Sequence, residues 1–155
     1  MPANSSFLLQ ISIRQGDSGD PIAFKVDGER FDGGSRTLKF ATDTRYCICL
    51  TAKPAIQFHS LHVGGADLQL ATNDPKSGQY SADWVTSGID VCKKGVRTNI
   101  NFILQGPDGQ LKKQLQCKFY QKDHSHADWG HKLNSLEWNC GIEAGNISVA
   151  NETFK

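Results

Sequence analysis

The feature that most constrains this chain is an alternation of apolar and polar residues that recurs from one end to the other. The first instance places Phe7, Leu9, Ile11 and Ile13 on one face of an extended segment. A period of two residues is typical of a half-buried β-strand, because successive side chains of a strand point to opposite sides of the sheet. No long segment shows the period of an amphipathic helix. The sequence therefore predicts an all-β fold.

Turn-forming residues separate the alternating segments at intervals of about 8 to 12 residues. Asp27-Gly28, Gly64-Gly65 and Pro107-Asp108-Gly109 each stand between two such segments and are typical of hairpin turns. The segment 46–50 is apolar on both faces, and we expect it to be a central strand. About ten short strands joined in this way predict an antiparallel β-sandwich or flattened barrel.

Length and charge exclude several classes of function. The 155 residues suffice for one domain with its own core, so we expect residues 1–155 to form a single domain. The net charge of +1 favours neither nucleic acid nor an anionic membrane surface. We find no apolar segment near the ~20 residues of a transmembrane helix, and the start of the chain lacks the pattern of a signal peptide.

The number and spacing of the cysteines indicate the redox compartment of the protein. Five cysteines at irregular spacings favour free thiols over a disulfide framework. We therefore expect a cytoplasmic protein with five free thiols. Cys47 and Cys49 would share one face of a strand, whereas zinc and redox motifs use a Cys-x-x-Cys turn to bring two sulfurs together. We expect these two side chains to be buried and apolar.

A cluster of polar residues at 123–131 contains three histidines and two aspartates. Its composition resembles a metal site, but the spacing of His124, His126 and His131 matches no common zinc motif. A solvated turn is the preferred interpretation, so we expect no metal and no cofactor. Cys117 or a serine could act as a nucleophile with His124 as its base, yet none of them has the flanking sequence of a known catalytic motif. We expect no enzymatic activity.

A series of short segments, spread in order over nearly the whole chain, carries a recognisable pattern. The most specific are the Val-Asp-Gly-x-Arg-Phe segment at 26–31 and the span from Lys118-Phe119-Tyr120 to Trp129-Gly130. The others are Arg36 to Lys39, Tyr46, Lys53-Pro54, Val63 to Gly65, Thr86 to Ile89, Asp123-His124 and Asn151 to Phe154. With these residues the chain resembles the cannabinoid receptor-interacting protein 1 family.

The resemblance implies a cytoplasmic regulator without catalytic residues. Members of that family bind the intracellular C-terminal tail of a cannabinoid receptor and restrain its G-protein signalling. The implied fold is similar to that of the Rho guanine-nucleotide dissociation inhibitor and other lipid-cargo carriers, which hold a lipid chain between two sheets. A carrier of lipidated G proteins or small GTPases is therefore the alternative function. Membrane association would then be peripheral and would depend on the partner.

Each function predicts its own site. A docked receptor tail would add a strand at a sheet edge or occupy a surface groove. The candidate segments are 86–98 and 121–131, with partner-binding residues Lys93, Lys94, His124, Trp129 and Gly130. A carrier would need an apolar cavity between the sheets. The predicted lining residues are Ile48, Leu50, Phe102, Phe119 and Trp138.

Overall fold

The structure is a computed structural model that describes residues 5–26, 36–93, 97–122 and 130–155. Within these ranges the chain forms twelve β-strands and no helix, as the alternation predicts. The strands are β1 (Ser5–Gln15), β2 (Ala23–Val26), β3 (Arg36–Ala41), β4 (Arg45–Lys53), β5 (Ser60–Val63), β6 (Ala66–Leu68), β7 (Gln79–Val85), β8 (Thr98–Gly106), β9 (Gly109–Tyr120), β10 (His131–Lys132), β11 (Leu136–Glu143) and β12 (Asn146–Phe154). No described segment is a helix long and apolar enough to cross a membrane.

The strands form one sheet that curves back on itself into a nearly closed barrel. β9 pairs with β8 along one edge and with β12 on the other. From β8 the sheet continues through β5 to β6, and from β12 it continues through β11, β1 and β4 to β7. Ala71, just after β6, forms an isolated bridge with Ser81 of β7. The two ends of the series therefore meet at this bridge.

A second group of strands extends from the far end of β9. β3 pairs with the last residues of β9, β2 pairs with β3, and β10 pairs with β2. The predicted all-β flattened barrel is confirmed, but β9 is parallel to both β3 and β12. The alternation of apolar residues is the same in parallel and antiparallel strands, so it carried no signal for these two pairings.

The predicted hairpins at Gly64-Gly65 and Pro107-Asp108-Gly109 are confirmed as β5–β6 and β8–β9. The predicted turn at Asp27-Gly28 lies outside the described residues. β4 is an interior strand, flanked by β1 and β7, as predicted. Its buried face consists of Tyr46, Ile48, Leu50 and Ala52.

Aromatic rings fill much of the described core. Phe40 lies edge-on to Tyr46 and Trp84, with ring centroids 5.1 and 5.0 Å away, and its ring centroid is 5.7 Å from that of Phe119. These side chains are almost completely buried. Each large apolar side chain buried in this way stabilises the fold by about 1.5 to 3 kcal/mol. The aromatic cluster thereby fixes the end of the barrel where β3, β4, β7 and β9 meet.

Candidate functional site

The outer edge of β7 is a sheet edge that is only partly paired within the described residues. β7 pairs with β4 from Gln79 to Val85. The amides of Ala52 and Thr86 bond the carbonyls of Gly78 and Thr44, at either end of this ladder. Since bonded pairs alternate along an antiparallel ladder, the even-numbered residues of β7 bond β4. The N–H and C=O groups of Ser81, Asp83 and Val85 must therefore point to the other side.

Only part of that outer side is paired within the described chain. Ser81 exchanges two hydrogen bonds with Ala71, of 2.8 and 2.9 Å. The described residues provide no ladder partner for Asp83 and Val85 beyond this bridge. The barrel is therefore closed at the start of β7 and open at its end.

The start of β8 is also unpaired on the side that faces β5 farther along the strand. β5 pairs with β8 from Ser60↔Gln105 to Val63↔Phe102, and the amide of Gly64 bonds the carbonyl of Asn101 at 3.0 Å. The pairing described on this side stops there, so the first residues of β8, from Thr98 to Ile100, lie beyond it. The opening in the barrel wall thus lies along the end of β7, and the start of β8 is a second stretch of strand edge without a described partner on this side.

Thr86 anchors the end of β7 rigidly. Its hydroxyl donates a hydrogen bond to the carbonyl of Ala41 at 2.7 Å and accepts one from the amide of Thr44 at 3.0 Å. Thr86 is completely buried although it is polar. A strand edge held in place in this way needs little reorganisation when it receives another strand.

The connection from β7 to β8 borders the opening. It is tied to the end of β9 by a hydrogen bond of 2.9 Å from the amide of Cys92 to the carbonyl of Phe119. Val85 and Val91 are the large apolar side chains that stand out as exposed in the described chain, with 49% and 48% of their surface accessible. Both flank the first part of this connection, and exposed apolar surface beside unpaired backbone suits a docked peptide.

The predicted partner-binding residues are only partly described. Lys93 is exposed in the β7–β8 connection. Lys94, His124 and Trp129 lie outside the described residues, so their placement stays a prediction. Gly130 is exposed and directly precedes β10.

The backbone geometry at position 130 explains why a glycine lies there. Its φ is +122°, a conformation that residues with a side chain rarely adopt. A Cβ atom at this position would lie 2.7 Å from the carbonyl oxygen of Phe24. The close approach lets β10 pair with β2 through His131 and Phe24.

The five predicted cavity residues, Ile48, Leu50, Phe102, Phe119 and Trp138, all have 1% or less of their surface exposed. The ring of Phe102 is edge-on to Trp138 with centroids 5.3 Å apart, whereas Phe119 packs against Trp84 and Phe40. Their burial is as expected. The predicted lipid cavity itself stays a prediction.

The two cysteines of β4 differ from expectation. Cys49 is exposed and Cys47 is half-buried, so the prediction that both are buried is wrong. Their Sγ atoms are 3.8 Å apart, although the spacing lacks a Cys-x-x-Cys turn. The barrel covers only the inner face of β4. Cysteine behaves as a small apolar residue, so its presence at 47 and 49 wrongly indicated that the outer face is buried too.

Two other thiols are poorly suited to nucleophilic chemistry. Burial, and to a smaller extent Cys92, raises the pKa of Cys117 far above the ordinary value for a thiol. Burial raises the pKa of Cys140 to about 12. Because the thiolate is the reactive species, neither group is activated as a nucleophile. Among the described residues, no group of three or more His, Cys, Asp or Glu side chains is placed to hold a metal ion.

The fold and the open strand edge place the chain among the all-β domains of the flattened-barrel class. Comparison with known families then identifies its relatives. The sequence pattern of the family described as CB1 cannabinoid receptor-interacting protein 1 matches residues 3–154. The chain belongs to this family, as the resemblance in the sequence indicated.

Individual relatives agree with this assignment. The CB1 cannabinoid receptor-interacting protein 1 of Homo sapiens is 30% identical over 139 residues, which are 85% of this chain and 84% of the human protein. The protein of the same name from Mus musculus is 31% identical over the same shares of the two chains. The similarity therefore extends over most of both proteins.

The open edge of β7 was not predicted residue by residue. The segment 86–98 was predicted as a contact surface, and it does border the opening. Val85 did not stand out in the sequence because the alternation of this strand marks its inward residues Tyr80, Ala82 and Trp84. The available signal was an apolar residue at an outward position of the same strand.

Proposed function

We propose that this protein is a non-catalytic cytoplasmic regulator that binds the intracellular C-terminal tail of a cannabinoid-type receptor. The tail adds as a strand to the outer edge of β7 beside Asp83 and Val85. This interaction modulates signalling through the G protein. The names of the relatives support a receptor partner. The observation that carries the docking mode is the outward backbone of Asp83 and Val85.

Strand addition fits this edge physically. Main-chain hydrogen bonds to an open edge supply affinity without requiring a deep pocket. The exposed side chain of Val85 adds apolar surface for a neighbouring side chain of the peptide. Lys93, exposed nearby in the chain, is available for an acidic residue of the tail at the rim.

Replacement of Val85 by proline tests the docking mode. Val85→Pro removes an N–H that does not bond β4, and proline is tolerated at such positions of edge strands. The preceding residue, Trp84, is already extended, as a residue before proline should be. We expect this variant to keep its thermal unfolding midpoint and to bind a synthetic CB1 tail peptide at least about tenfold more weakly, or about 1.4 kcal/mol.

Val85→Thr is the matched control. Threonine keeps the N–H and the β-branched shape, so binding should change much less than in the proline variant. Isothermal titration of both folded variants with the same peptide provides the comparison. Unchanged affinity in a folded Val85→Pro variant would refute docking at β7. Absence of binding by the natural sequence would refute the receptor-tail partner itself.

A further inference from the structure

The outer face of β4 carries a pair of adjacent thiols that the proposed receptor function does not use. The Sγ atoms of Cys47 and Cys49 are 3.8 Å apart. Both side chains are at least partly accessible to solvent. Cys49 also lines a cleft of about 380 Å³, together with Thr51, Gln79 and Ser81. We propose that Cys47 and Cys49 form a binding site for a thiophilic divalent metal ion of the zinc class.

The separation of the sulfurs suits such an ion. Zinc–thiolate bonds are about 2.3 Å long, so two sulfurs on a tetrahedral zinc ion are about 3.8 Å apart. The protein holds the two sulfurs at this distance before any ion is bound. Among the described residues, no third His, Cys, Asp or Glu side chain is grouped with the two sulfurs. Water molecules would therefore complete the coordination of the ion.

A disulfide between the two cysteines fits less well. Residues two apart in a strand have Cα atoms about 6.6 to 6.8 Å apart. This separation is at the upper limit of the range that a disulfide spans. β4 is paired with β1 on one side and β7 on the other, so the strand has little freedom to contract. Metal binding requires no such contraction.

The charged groups around the thiols act in both directions on a bound cation. Burial and then the neighbouring Cys49 raise the pKa of the Cys47 thiol above its ordinary value. Asp83, opposite Cys47 on β7, raises the pKa further, whereas Arg45 lowers it. Arg14 faces Cys47 from β1. A bound divalent ion offsets the repulsion between two thiolates and releases their protons to solvent, so affinity increases with pH.

Cadmium is a suitable probe because its thiolate complexes absorb in the ultraviolet. Titration of the reduced, full-length protein with Cd²⁺ should produce a thiolate-to-metal absorption band that saturates at one ion per chain. Excess Zn²⁺ should displace the band. Cys47→Ser/Cys49→Ser should lose the band while keeping its thermal unfolding midpoint, since both side chains lie on the outer face of β4.

Cys92→Ser is the matched control, because Cys92 is also a half-buried thiol. Its band should equal that of the natural sequence. Absence of a band in the natural sequence, or an undiminished band in Cys47→Ser/Cys49→Ser, would overturn the proposal. The readout is specific to thiolate ligands and independent of receptor-tail binding, so its failure would leave the proposed function untouched.

Discussion

Single buried or strained residues fix the local geometry of this fold through the contacts that surround them. Thr86 is the clearest example, because its hydroxyl joins the end of β7 to the carbonyl of Ala41 at the end of β3 and to the amide of Thr44 in the β3–β4 connection. Gly130 has a comparable role at the start of β10, where backbone approaches backbone. At this scale, a side chain is fixed by the exact space and hydrogen bonds that surround it.

Gly130→Ala should lower the free energy of unfolding by roughly 1 to 3 kcal/mol, because it adds a steric contact to an unfavourable φ. Gly145→Ala is the control: φ is +82° there, but a Cβ meets no atom within 4 Å. Denaturant unfolding of both variants separates the free-energy cost of the steric contact from the cost of the unfavourable backbone conformation. Equal losses in the two variants would show that the contact with Phe24 costs nothing.

Sequence patterns predict such residues unevenly. The burial of one face of the first strand, with Phe7, Leu9, Ile11 and Ile13, followed from alternation and is confirmed. The proximity of Cys47 and Cys49 did not follow, because side-chain rotamers decide whether sulfurs two residues apart turn toward each other. Exposure of Cys49 depended on which face of β4 the rest of the barrel covers. Neither property is encoded in local periodicity.

Pairs of neighbouring strands are stabilised by contacts between their side chains. Glu137 of β11 accepts a hydrogen bond from Gln10 of β1 at 3.0 Å and lies 3.1 Å from the ammonium group of Lys155. These contacts tie the first strand and the chain end to β11. The hydrogen bonds from Gln10 and Lys155 lower the pKa of Glu137 below its ordinary value of 4.5.

The sign of this shift predicts the pH dependence. A carboxyl group with a lowered pKa in the folded state stabilises the fold fully above its unfolded pKa, and the stabilisation is lost as pH falls through the folded pKa. Glu137→Gln should therefore reduce stability near pH 7 more than below pH 4.5, the ordinary value. Unfolding curves for both proteins across this range test it. A difference between them that is constant with pH would contradict the assignment.

The order of strands along the chain was easier to predict than their neighbours in the sheet. Gly64-Gly65 and Pro107-Asp108-Gly109 identified local hairpins, because turn chemistry acts within a few residues. The parallel contacts of β9 with β3 and β12 join segments distant in sequence, and no local signal specifies them. The opening beside β7 results from this long-range order and could not be derived from residues 79–98 alone.

The whole molecule is a nearly closed barrel whose interior is rich in aromatic contacts. The two candidate functions, regulator and carrier, require different interiors. A regulator that binds at an edge uses a filled core, whereas a carrier of lipidated proteins needs an apolar cavity. The edge-on contact between Phe102 and Trp138 favours the regulator that binds at an edge, because the core is filled around these two rings.

Phe102→Ala distinguishes these possibilities. If Phe102 is packed, the truncation should cost about 3 to 5 kcal/mol of stability, because it removes contacts and leaves a void. If the side chain instead lines an open cavity, the cost should be much smaller, since few contacts are lost. Chemical denaturation of the variant measures the difference. A loss below about 1 kcal/mol would favour the carrier function.

Residue-resolved amide hydrogen exchange, with and without saturating CB1 tail peptide, tests the docking of the tail at β7 most directly. The amides of Asp83 and Val85 should exchange more slowly with peptide, because the added strand accepts their hydrogen bonds. The amides of Ala82 and Trp84 bond β4 in both states and provide the internal reference. Unchanged exchange at Asp83 and Val85 while the peptide is bound, with protection appearing elsewhere, would contradict the account.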